Sequence, residues 1–347
     1  MSTLKVTAES LVVHPHPNAD ALELAQVGLY RAVVAKGAYQ TGDYAIYLPE
    51  GSVLPEALIG ELGLTGKLAG AAHNRVKAVR LRGELSQGIV CTPKALGGVD
   101  LSLADDTDFA ELLGVTKWVP PIPVHLSGDI AAAPDLLPWV EIENIKRYPG
   151  IFTAGEPVIA TEKIHGTACL FTYVAETGDR FVSSKGFGKQ RLALKESVSN
   201  LYWRAVLAHG VPAVAEKLAA ELGATRVGIF GEVYGKGVQD LAYGTEGPVN
   251  YAAFDVAAEI DGQVRWLAVP QGELPCAPVL YEGPYDETVL IGLASGRETL
   301  SGKELNIREG IVIRPAAERY SEVLGGRAIG KLVSDAYLTR KGGTEFE

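Results

Sequence analysis

The chain has 347 residues, 47% of them hydrophobic and 21% charged, with a formal net charge of −10 at pH 7. This length predicts about two domains, and the composition is ordinary for a globular protein that builds its own hydrophobic cores. No apolar run approaches about 18 residues and the first residues lack the basic-then-apolar pattern of a signal peptide, so we expect a cytoplasmic protein without a membrane span.

The cysteines and the acidic charge exclude further classes. Cys91, Cys169 and Cys276 are odd in number and far apart, so neither a disulfide framework nor a Cys-x-x-Cys metal site is predicted. The negative net charge argues against a broad electrostatic surface for nucleic acid, because phosphate binding draws on clustered Lys and Arg. A nucleic-acid partner would have to bind at local basic patches.

The first 120 residues consist mainly of short strand-like runs separated by Gly, Pro, Asn and Asp. This pattern predicts an all-β domain of the OB-barrel type over residues 1–120. The predicted strands are Leu4–Val13, Leu22–Val27, Tyr30–Ala35, Tyr44–Leu48, Arg75–Arg82 and Gly88–Cys91.

One of these runs, Arg75–Arg82, is a candidate nucleic-acid-binding strand. In an extended strand Val79 and Leu81 point to one face while Arg80 and Arg82 point to the other. Arg80 and Arg82 are therefore predicted to contact nucleic acid. A solvated strand whose cations only keep a sheet edge soluble is equally compatible with the pattern.

Two segments of this domain resemble the OB-type tRNA-binding domains of aminoacyl-tRNA synthetases and related factors. They are His14-Pro-His-Pro-Asn-Ala-Asp-Ala-Leu-Glu-Leu24 and Leu81-Arg-Gly-Glu-Leu-Ser-Gln-Gly88. The resemblance implies that the domain binds nucleic acid.

A proline-rich segment, Trp118–His125, followed by an alanine-rich stretch predicts an extended connector. We assign residues 121–137 to this linker and residues 138–347 to a second domain. The second domain alternates strands with helices, which predicts an α+β fold with antiparallel sheets. Its predicted strands are Val158–Thr161, Thr167–Val174, Val227–Phe230, Tyr251–Val256 and Gly310–Arg314, and its predicted helices are Lys189–Ala208 and Val211–Leu222.

Five elements of the second domain carry functional side chains at the ends of hydrophobic runs. The first element, Lys163-Ile-His-Gly166, matches the pattern Lys-x-[Asp/Asn/His]-Gly. This pattern alone is expected by chance about 0.2 times in a chain of this length. The ordered series is far more specific and indicates a site that forms a covalent lysyl-nucleotide. The series is Lys163–Gly166, Gly228–Glu232, Phe254-Asp255, Glu309–Arg314 and Lys331.

A lysine amine with an ordinary pKa of about 10.4 is protonated at neutral pH, so a nucleophilic lysine needs burial, neighbouring cations or a metal to lower that pKa. Lys163 follows the apolar run Val158–Ala160, which predicts a position at the mouth of a sheet. Lys331 and Arg314 are the candidate cationic neighbours. Taken alone, the tetrad would favour an exposed lysine in a turn.

The other elements supply candidate nucleotide-binding and metal-binding groups. Gly166 lets the backbone approach a phosphate or a base, and His165 can bond a ribose hydroxyl or orient a neighbour. Glu232 and Glu309 each flank a glycine at a strand edge, where a carboxylate can bind a ribose or a divalent cation, although solvated strand-end acids have the same pattern. Phe254 is either a purine-stacking ring or a core residue.

A basic segment, Ser183–Arg191, contains Lys185, Lys189 and Arg191. Such a glycine-containing segment suits phosphate oxygens or a nucleic-acid strand. A loop that enters a helix would look similar.

These residues give residues 138–341 a resemblance to the nucleotidyltransferase domain of the ligase and capping-enzyme superfamily, in its RNA-ligase branch. The resemblance implies an ATP-grasp-like ligase domain in which Lys163 becomes adenylated. It also implies the following roles: Glu162 near adenine, Lys185 toward the 5′-phosphate, Glu232 at the ribose, Phe254 stacked on adenine, and Glu309 near the catalytic metal, with His165, Gly166 and Arg314 in the nucleotide site.

Two positions depart from the family pattern. Arg314 stands where the Glu-Gly-x-Val-x-Lys motif has a lysine, and Arg is a planar fork where Lys is a point donor. The last motif of the family has two lysines, whereas here Lys331 is followed by Leu332 and Val333. Which of the two family lysines Lys331 replaces stays open.

The order of the domains narrows the family further. Only residues 332–347 follow Lys331, too few for the C-terminal barrel of DNA ligases and capping enzymes, and the OB domain comes first. This order resembles the bacterial fifth RNA-ligase family. It implies a monomeric, ATP-dependent RNA ligase that uses Mg²⁺ or Mn²⁺ and joins a 3′-hydroxyl to a 5′-phosphate at nicks, in RNA repair.

Three alternatives stay open at this stage. A DNA ligase or a capping-type guanylyltransferase would use the same lysine. The third is a protein of another class, a non-catalytic OB-fold tRNA- or RNA-binding protein. Such a protein would not need the series of functional residues in the second domain.

Overall fold

The computed structural model describes residues 4–119, 129–245, 247 and 249–340. The chain divides after Val119 into two compact units. None of the helices in the described part of the chain combines the length and hydrophobicity that a bilayer crossing requires.

The first unit is built from short antiparallel strands. Sheets β1-β5-β9 and β2-β3-β4 hold its two hydrophobic clusters, and β6-β10 and β7-β8 are two-stranded. Strands β3, β4 and β5 have the predicted bounds. The elements are β1 (Thr7–Ser10), β2 (Val12–Pro15), β3 (Leu22–Val27), β4 (Tyr30–Ala35), β5 (Tyr44–Leu48), β6 (Ser52–Val53), α1 (Glu56–Glu61), β7 (Val79–Leu81), β8 (Glu84–Ser86), β9 (Ile89–Cys91) and β10 (Thr116–Lys117), with 3-10 turns at Lys94–Leu96 and Leu101–Leu103.

The first predicted strand is divided at Leu11. The backbone N–H of Leu11 donates to Asp43 O and its carbonyl accepts from Gly42, so the chain leaves the sheet of β1 and enters the sheet of β2 at this buried residue. Strand β5 serves both clusters, because Ile46 packs on one side and Tyr47 on the other.

The strand predicted over Arg75–Arg82 is shorter than expected. Only Val79–Leu81 forms a strand, and Arg82 has a φ of +48° in the turn that precedes Gly83, so the predicted alternation ends at Leu81. Val79 and Leu81 are both exposed, and the buried residues of the hairpin, Leu85 and Ser86, lie in β8. Both arginines are exposed, and Arg80 donates to Gly83 O at 2.6 Å.

The second unit contains a seven-stranded antiparallel sheet, β11-β16-β15-β14-β17-β18-β19, and a five-stranded sheet, β12-β24-β21-β13-β20. In the second sheet β12 runs parallel to β24, and the other pairs are antiparallel. The elements are β11 (Ile130–Ala132), β12 (Glu143–Asn144), β13 (Pro157–Lys163), β14 (Thr167–Val174), β15 (Arg180–Ser184), α2 (Lys185–Lys189), β16 (Leu192–Leu194), α3 (Leu201–Ala208), α4 (Val211–Leu222), β17 (Arg226–Tyr234), β18 (Asn250–Ile260), β19 (Gln263–Leu267), β20 (Val279–Pro284), α5 (Glu287–Ala294), β21 (Gly310–Pro315), β22 (Tyr320–Ser321), β23 (Gly326–Arg327), β24 (Gly330–Val333) and α6 (Asp335–Leu338).

Each sheet packs one face against helices. Helices α3 and α4 cover the seven-stranded sheet through Trp203 and Val214, and α5 covers the five-stranded sheet through Leu290. Helix α4 has the predicted bounds, because Gly210 and Gly223 at its ends adopt left-handed conformations that stop helical geometry.

The helix predicted over Lys189–Ala208 is wrong in its first half. Leu192–Leu194 forms strand β16 instead, pairing with both β11 and β15. The side chain of Asn200 accepts hydrogen bonds from the backbone N–H groups of Tyr202 and Trp203, and so starts the helix at Leu201. An apolar Leu-Ala-Leu run fits a short buried strand as well as a helix face.

Part of the predicted linker belongs to the second unit. Residues 120–128 lie outside the described residues, but Ile130–Ala132 pairs with β16 as an edge strand. Leu136 and Leu137 are fully buried in a cluster that includes Phe230. The described residues of the predicted linker, 129–137, therefore pack as part of the second unit.

Candidate active site

A pocket of about 210 Å³ in the second unit is lined by residues of both of its large sheets. The five-stranded sheet contributes the face that carries Thr161, Lys163 and Val312. The residues predicted for the nucleotide or catalytic site that line this pocket are Glu162, Lys163, Lys185, Glu232, Phe254, Arg314 and Lys331.

Lys163 is the last residue of β13, where it pairs with Gly310 of β21. Its Nζ lies 2.6 Å from Glu309 Oε1. Burial alone would lower the pKa of Lys163, but the carboxylates of Glu309 and Glu232 outweigh it and raise the pKa. The expected lowering of the pKa by Lys331 and Arg314 is therefore not the dominant effect, and the lysine is an ammonium group held by an acid.

Glu309 directly precedes β21 and is buried. One carboxylate oxygen holds Lys163, and the other, Oε2, is buried without a hydrogen-bond partner among the described residues. His165 Nδ1 lies 3.9 Å from Oε2. The described residues contain no group of three or more His, Cys, Asp and Glu side chains that would hold a metal by itself.

Glu232 and Gly166 are brought together by the pairing of β14 with β17. A Cβ on Gly166 would lie 2.3 Å from the carbonyl oxygen of Val233, so only glycine fits. The neighbouring strand alone therefore requires glycine here, and the predicted approach to a phosphate or base stays a prediction. Burial raises the pKa of Glu232 to about 8, with Lys163 opposing the shift and Glu309 adding to it.

His165 is not among the residues that line the pocket, and its predicted bond to a ribose stays a prediction. Its Nε2 lies 2.8 Å from Asp240 Oδ1 and its Nδ1 lies 2.8 Å from the hydroxyl of Tyr337. Burial lowers the pKa of His165, more than Glu309 and Asp240 raise it, which favours a neutral ring that donates to Asp240 and accepts from Tyr337. Arg340 completes the network by pairing with Asp240. The alternative role, orienting a neighbour, fits this geometry.

Glu162 is buried, and its Oε2 accepts hydrogen bonds from the backbone N–H and the hydroxyl of Thr299, both at 2.7 Å. Burial raises its pKa, although Thr299 and Arg308 oppose the shift. Its Oε1 is buried and has no hydrogen-bond partner in the described structure.

A β-bulge in β18 explains why two adjacent residues, Phe254 and Asp255, both line the pocket. Opposite Phe230 and Gly231 of β17 the register shifts, so that Asp255 pairs with Phe230 and Ala253 pairs with Gly231. A bulge re-aims side chains that would otherwise alternate between faces. Phe254 also packs against two buried clusters, so it is both a core residue and a pocket wall.

Arg314 is bound at the Phe254 end of the pocket. Its Nη1 donates to Phe254 O at 3.1 Å and lies 3.5 Å from Asp255 Oδ1. Asp255 is held in turn by Arg327, whose guanidinium carbon lies 4.1 Å from the centroid of the Trp266 ring. Arg314 therefore ties β21 to β18, and its predicted place beside Lys163 is not supported.

Lys331 and Lys185 are the other cations at the Lys163 end. Burial, together with the positive charges of Lys185 and Lys163, lowers the pKa of Lys331 to about 8. Lys185 Nζ lies 2.7 Å from Glu141 Oε2, and Lys189 contacts the other oxygen of the same carboxylate. Arg191 donates to the carbonyls of Pro134 and Leu136, so it holds the start of the second unit.

Several residues of this arrangement had no signal in the sequence reasoning. They are connected to the motifs through contacts distant in sequence and carry no motif of their own. They are Glu141, Asp240, Thr299, Arg327, Tyr337 and Arg340.

Comparisons with known proteins agree with this geometry. A family model described as RNA ligase matches residues 156–333, more than half of the chain, and an OB-fold domain model matches residues 4–93. A comparison with curated proteins returned no match.

Solved structures give the same fold. A mutant of Naegleria gruberi RNA ligase with ATP and Mn aligns with a TM-score of 0.75 at 22% identity, covering 96% of this chain and 98% of that one. The same enzyme with PPi aligns with a TM-score of 0.73 at 22% identity, covering 96% and 97%. This likeness confirms the predicted fold class, an OB-type domain followed by an α+β domain with mostly antiparallel sheets. With more than half of its length matched by the family model, the chain belongs to the RNA ligase family.

Proposed function

We propose that the protein is an ATP-dependent RNA ligase that forms lysyl-AMP on Lys163 and joins a 3′-hydroxyl to a 5′-phosphate at nicks in duplex RNA, in RNA repair. The observation that carries this proposal is the composition of one pocket. Lys163, which is held by the buried acid Glu309, lines this pocket together with the apolar side chains of Phe254 and Val312. Similar solved ligases contain ATP, AMP, PPi and Mn.

The first step requires that Lys163 lose a proton. Glu309 Oε1 lies 2.6 Å from the ammonium and is positioned to accept that proton. The free amine then attacks the α-phosphorus of ATP, a P–N bond forms, and the bond to pyrophosphate breaks. Lys331 and Lys185 supply positive charge close to this end, where negative charge builds on phosphate oxygens.

A divalent cation fits the acids of this site. Glu309 Oε2 and the carboxyl of Glu232 are the residues that would hold it, and the phosphates and water would complete its coordination, since the protein alone offers too few ligands. Bound there, Mg²⁺ or Mn²⁺ would neutralise phosphate charge and weaken the hold of the carboxylates on Lys163.

The later steps transfer AMP to the 5′-phosphate, breaking the P–N bond, and then release AMP when the 3′-hydroxyl attacks the activated 5′-phosphorus. Lys185 is exposed enough to meet an incoming strand, with 43% of its side chain accessible. In the first unit, Arg80 and Arg82 are exposed on the β7–β8 hairpin, and we propose that they contact the RNA. Arg80→Ala with Arg82→Ala should weaken joining, most visibly at raised salt, and leave adenylation intact.

The test is label transfer in the absence of nucleic acid. Incubation of the full chain with a divalent metal and either α-labelled ATP or α-labelled GTP should label the protein from ATP. Joining of a 5′-phosphate across RNA and DNA nicks then defines the acceptor. Labelling from GTP alone would favour a capping-type transferase, and no labelling from either nucleotide would contradict the proposal.

A further inference from the structure

Both ring nitrogens of His165 have a defined partner. Nε2 lies 2.8 Å from Asp240 Oδ1, and Nδ1 lies 2.8 Å from the hydroxyl of Tyr337. Arg340 holds the carboxylate of Asp240 in place, since its Nε donates to Oδ2 at 2.8 Å and its Nη2 donates to Oδ1 at 3.0 Å. The ring is therefore fixed in orientation two residues after Lys163.

These partners decide which ring nitrogen carries the proton. Burial lowers the pKa of His165, so the neutral ring has a single N–H group. An ionised carboxylate only accepts hydrogen bonds, so the contact with Asp240 requires the proton on Nε2. Nδ1 is then an acceptor, and the hydroxyl of Tyr337 donates to it. Arg340 Nη2 lies 3.5 Å from Nε2, a longer and weaker contact than that with Asp240.

The unprotonated nitrogen Nδ1 lies close to the carboxylate of Glu309. It is 3.9 Å from Oε2, the oxygen without a hydrogen-bond partner among the described residues. The start of α6 holds the two groups together, because Ser334 N donates to Glu309 O while Ser334 Oγ accepts from Tyr337 N. A proton on Nδ1 would need a shift of only about 1 Å to reach hydrogen-bonding distance of Oε2, whereas a lone pair there makes no such bond.

We propose that Asp240 is a positioning residue. By fixing the proton of His165 on Nε2, it keeps Glu309 Oε2 without a hydrogen bond and able to bind the divalent cation. This inference rests on the proposed function, in which Glu309 Oε2 holds Mg²⁺ or Mn²⁺. With the proton on Nδ1, the ring would donate to Oε2 and compete with the cation for that oxygen. Loss of an outer partner of a metal site lowers metal affinity by about 10- to 100-fold.

The experiment is ¹⁵N NMR of the full chain with isotope-labelled histidine rings, first without metal and then with added Mn²⁺. The His165 signals are identified by their absence in His165→Gln, and the other histidines, out of six in the chain, are internal references. In the wild type the proton should be on Nε2. Mn²⁺ bound at Glu309 should broaden the His165 signals before those of the other histidines, because Nδ1 lies 3.9 Å from Oε2.

Asp240→Ala is the decisive variant. It removes the acceptor of Nε2, so Arg340 Nη2, 3.5 Å away, donates to this nitrogen instead and the proton should move to Nδ1. The Mn²⁺ concentration that half-broadens the His165 signals should then rise by about tenfold.

Two control variants separate this effect from a general disturbance of the site. Tyr337→Phe removes the other partner of the ring but leaves Asp240 in place, so it should keep the proton on Nε2 and the wild-type response to Mn²⁺. Glu196→Ala removes the same negative charge from an exposed pair with Arg180, and it should change neither the proton position nor the response.

A wild-type ring with its proton on Nδ1 or on both nitrogens would overturn the proposal, whether or not the variants fold. So would wild-type His165 signals that Mn²⁺ does not broaden selectively. In Asp240→Ala, an unchanged proton position or an unchanged Mn²⁺ response would also overturn it, as would an equal loss in either control. Label transfer from ATP is measured on the same samples, and its absence in a wild type with the expected spectra would instead count against the proposed function.

Discussion

The two ends of the pocket contain similar charged groups that differ in how fully those groups are paired within the protein. At the lysine end, Lys163 is 26% exposed and its partner Glu309 keeps one buried oxygen without a hydrogen bond in the described structure. At the arginine end, Asp255 and Arg327 are about 5% and 6% exposed and bind each other. At the lysine end a carboxylate oxygen can still bind a ligand. At the arginine end the charged groups bind each other and stabilise the fold.

The sequence presents the lysines and arginines of the pocket as one set of cations, but the structure indicates two different roles for them. Lys163, Lys185 and Lys331 are placed to act on phosphate. Arg314 and Arg327 hold Asp255 and the bulge that presents Phe254. Substitutions at the lysine end should therefore change the rate of catalysis, and those at the arginine end should change stability or nucleotide affinity.

The largest effect is expected for Lys163→Arg. Arginine keeps the positive charge and can still pair with Glu309, but its pKa is too high to give a neutral nucleophile. Label transfer should fall by more than about 10³-fold. Lys331→Arg is the matched control, and it should retain more activity if Lys331 acts by charge alone. Equal transfer by Lys163→Arg and wild type would show that Lys163 is not the nucleophile.

Glu309→Gln should come next, with a loss of about 10²- to 10³-fold in the rate of label transfer. The amide cannot accept the proton of Lys163 and is a poorer metal ligand. Single-turnover kinetics with ATP measures the loss. A rate near that of the wild type would remove Glu309 from the chemistry.

At the arginine end, Asp255→Asn should lower the free energy of unfolding by about 3 kcal/mol, because it removes the buried carboxylate that pairs with both Arg314 and Arg327. Urea unfolding followed by tryptophan fluorescence measures this. Glu318→Gln removes the more exposed partner of Arg327 and should cost less than about 1 kcal/mol. Similar costs for the two variants would contradict the distinction between buried and exposed pairs.

Glu141 adds a pH dependence. Burial would raise its pKa, but the ion pairs with Lys185 and Lys189 lower it from 4.5 to about 2. A lowered carboxyl pKa stabilises the folded state above the unfolded-state value, and this stability is lost as the pH falls from about 4.5 toward 2. Glu141→Gln should cost about 1 to 2 kcal/mol at pH 7, since the half-exposed lysines are screened by solvent. The difference between the unfolding midpoints of variant and wild type should shrink toward pH 3, and a constant difference would contradict the assignment.

The smallest effect is expected for Arg314→Lys, which restores the family residue. A lysine can keep the bond to Phe254 O or the pair with Asp255, so the KM for ATP should rise by less than about tenfold with kcat nearly unchanged. A large loss of kcat would place Arg314 in the chemistry instead.

Sequence reasoning located the residues whose signal is local. Lys163 and Glu309 stand at the ends of apolar strands beside small residues, and this pattern alone predicted the edge where the pocket lies. The contacts of His165 with Asp240 and of Arg314 with Asp255 were not predicted, because these partners are far away in the chain. The close approach of Gly166 to β17 was not predicted for the same reason.

The same limit applies to the fold. Strands β3, β4, β5 and β14 were predicted at their observed bounds because each carries a clear β pattern between turn residues. The run after Arg191 was predicted as helix because a short apolar segment does not reveal whether a neighbouring strand will pair with it.

The most direct measurement is to map the modified residue. After incubation of the full chain with ATP and a divalent metal, proteolysis and tandem mass spectrometry should find AMP on the peptide that contains Lys163, attached to the side-chain amine. The modification should be absent from Lys163→Arg treated in the same way. AMP on another residue, or a wild-type protein that carries no AMP at all, would contradict the account.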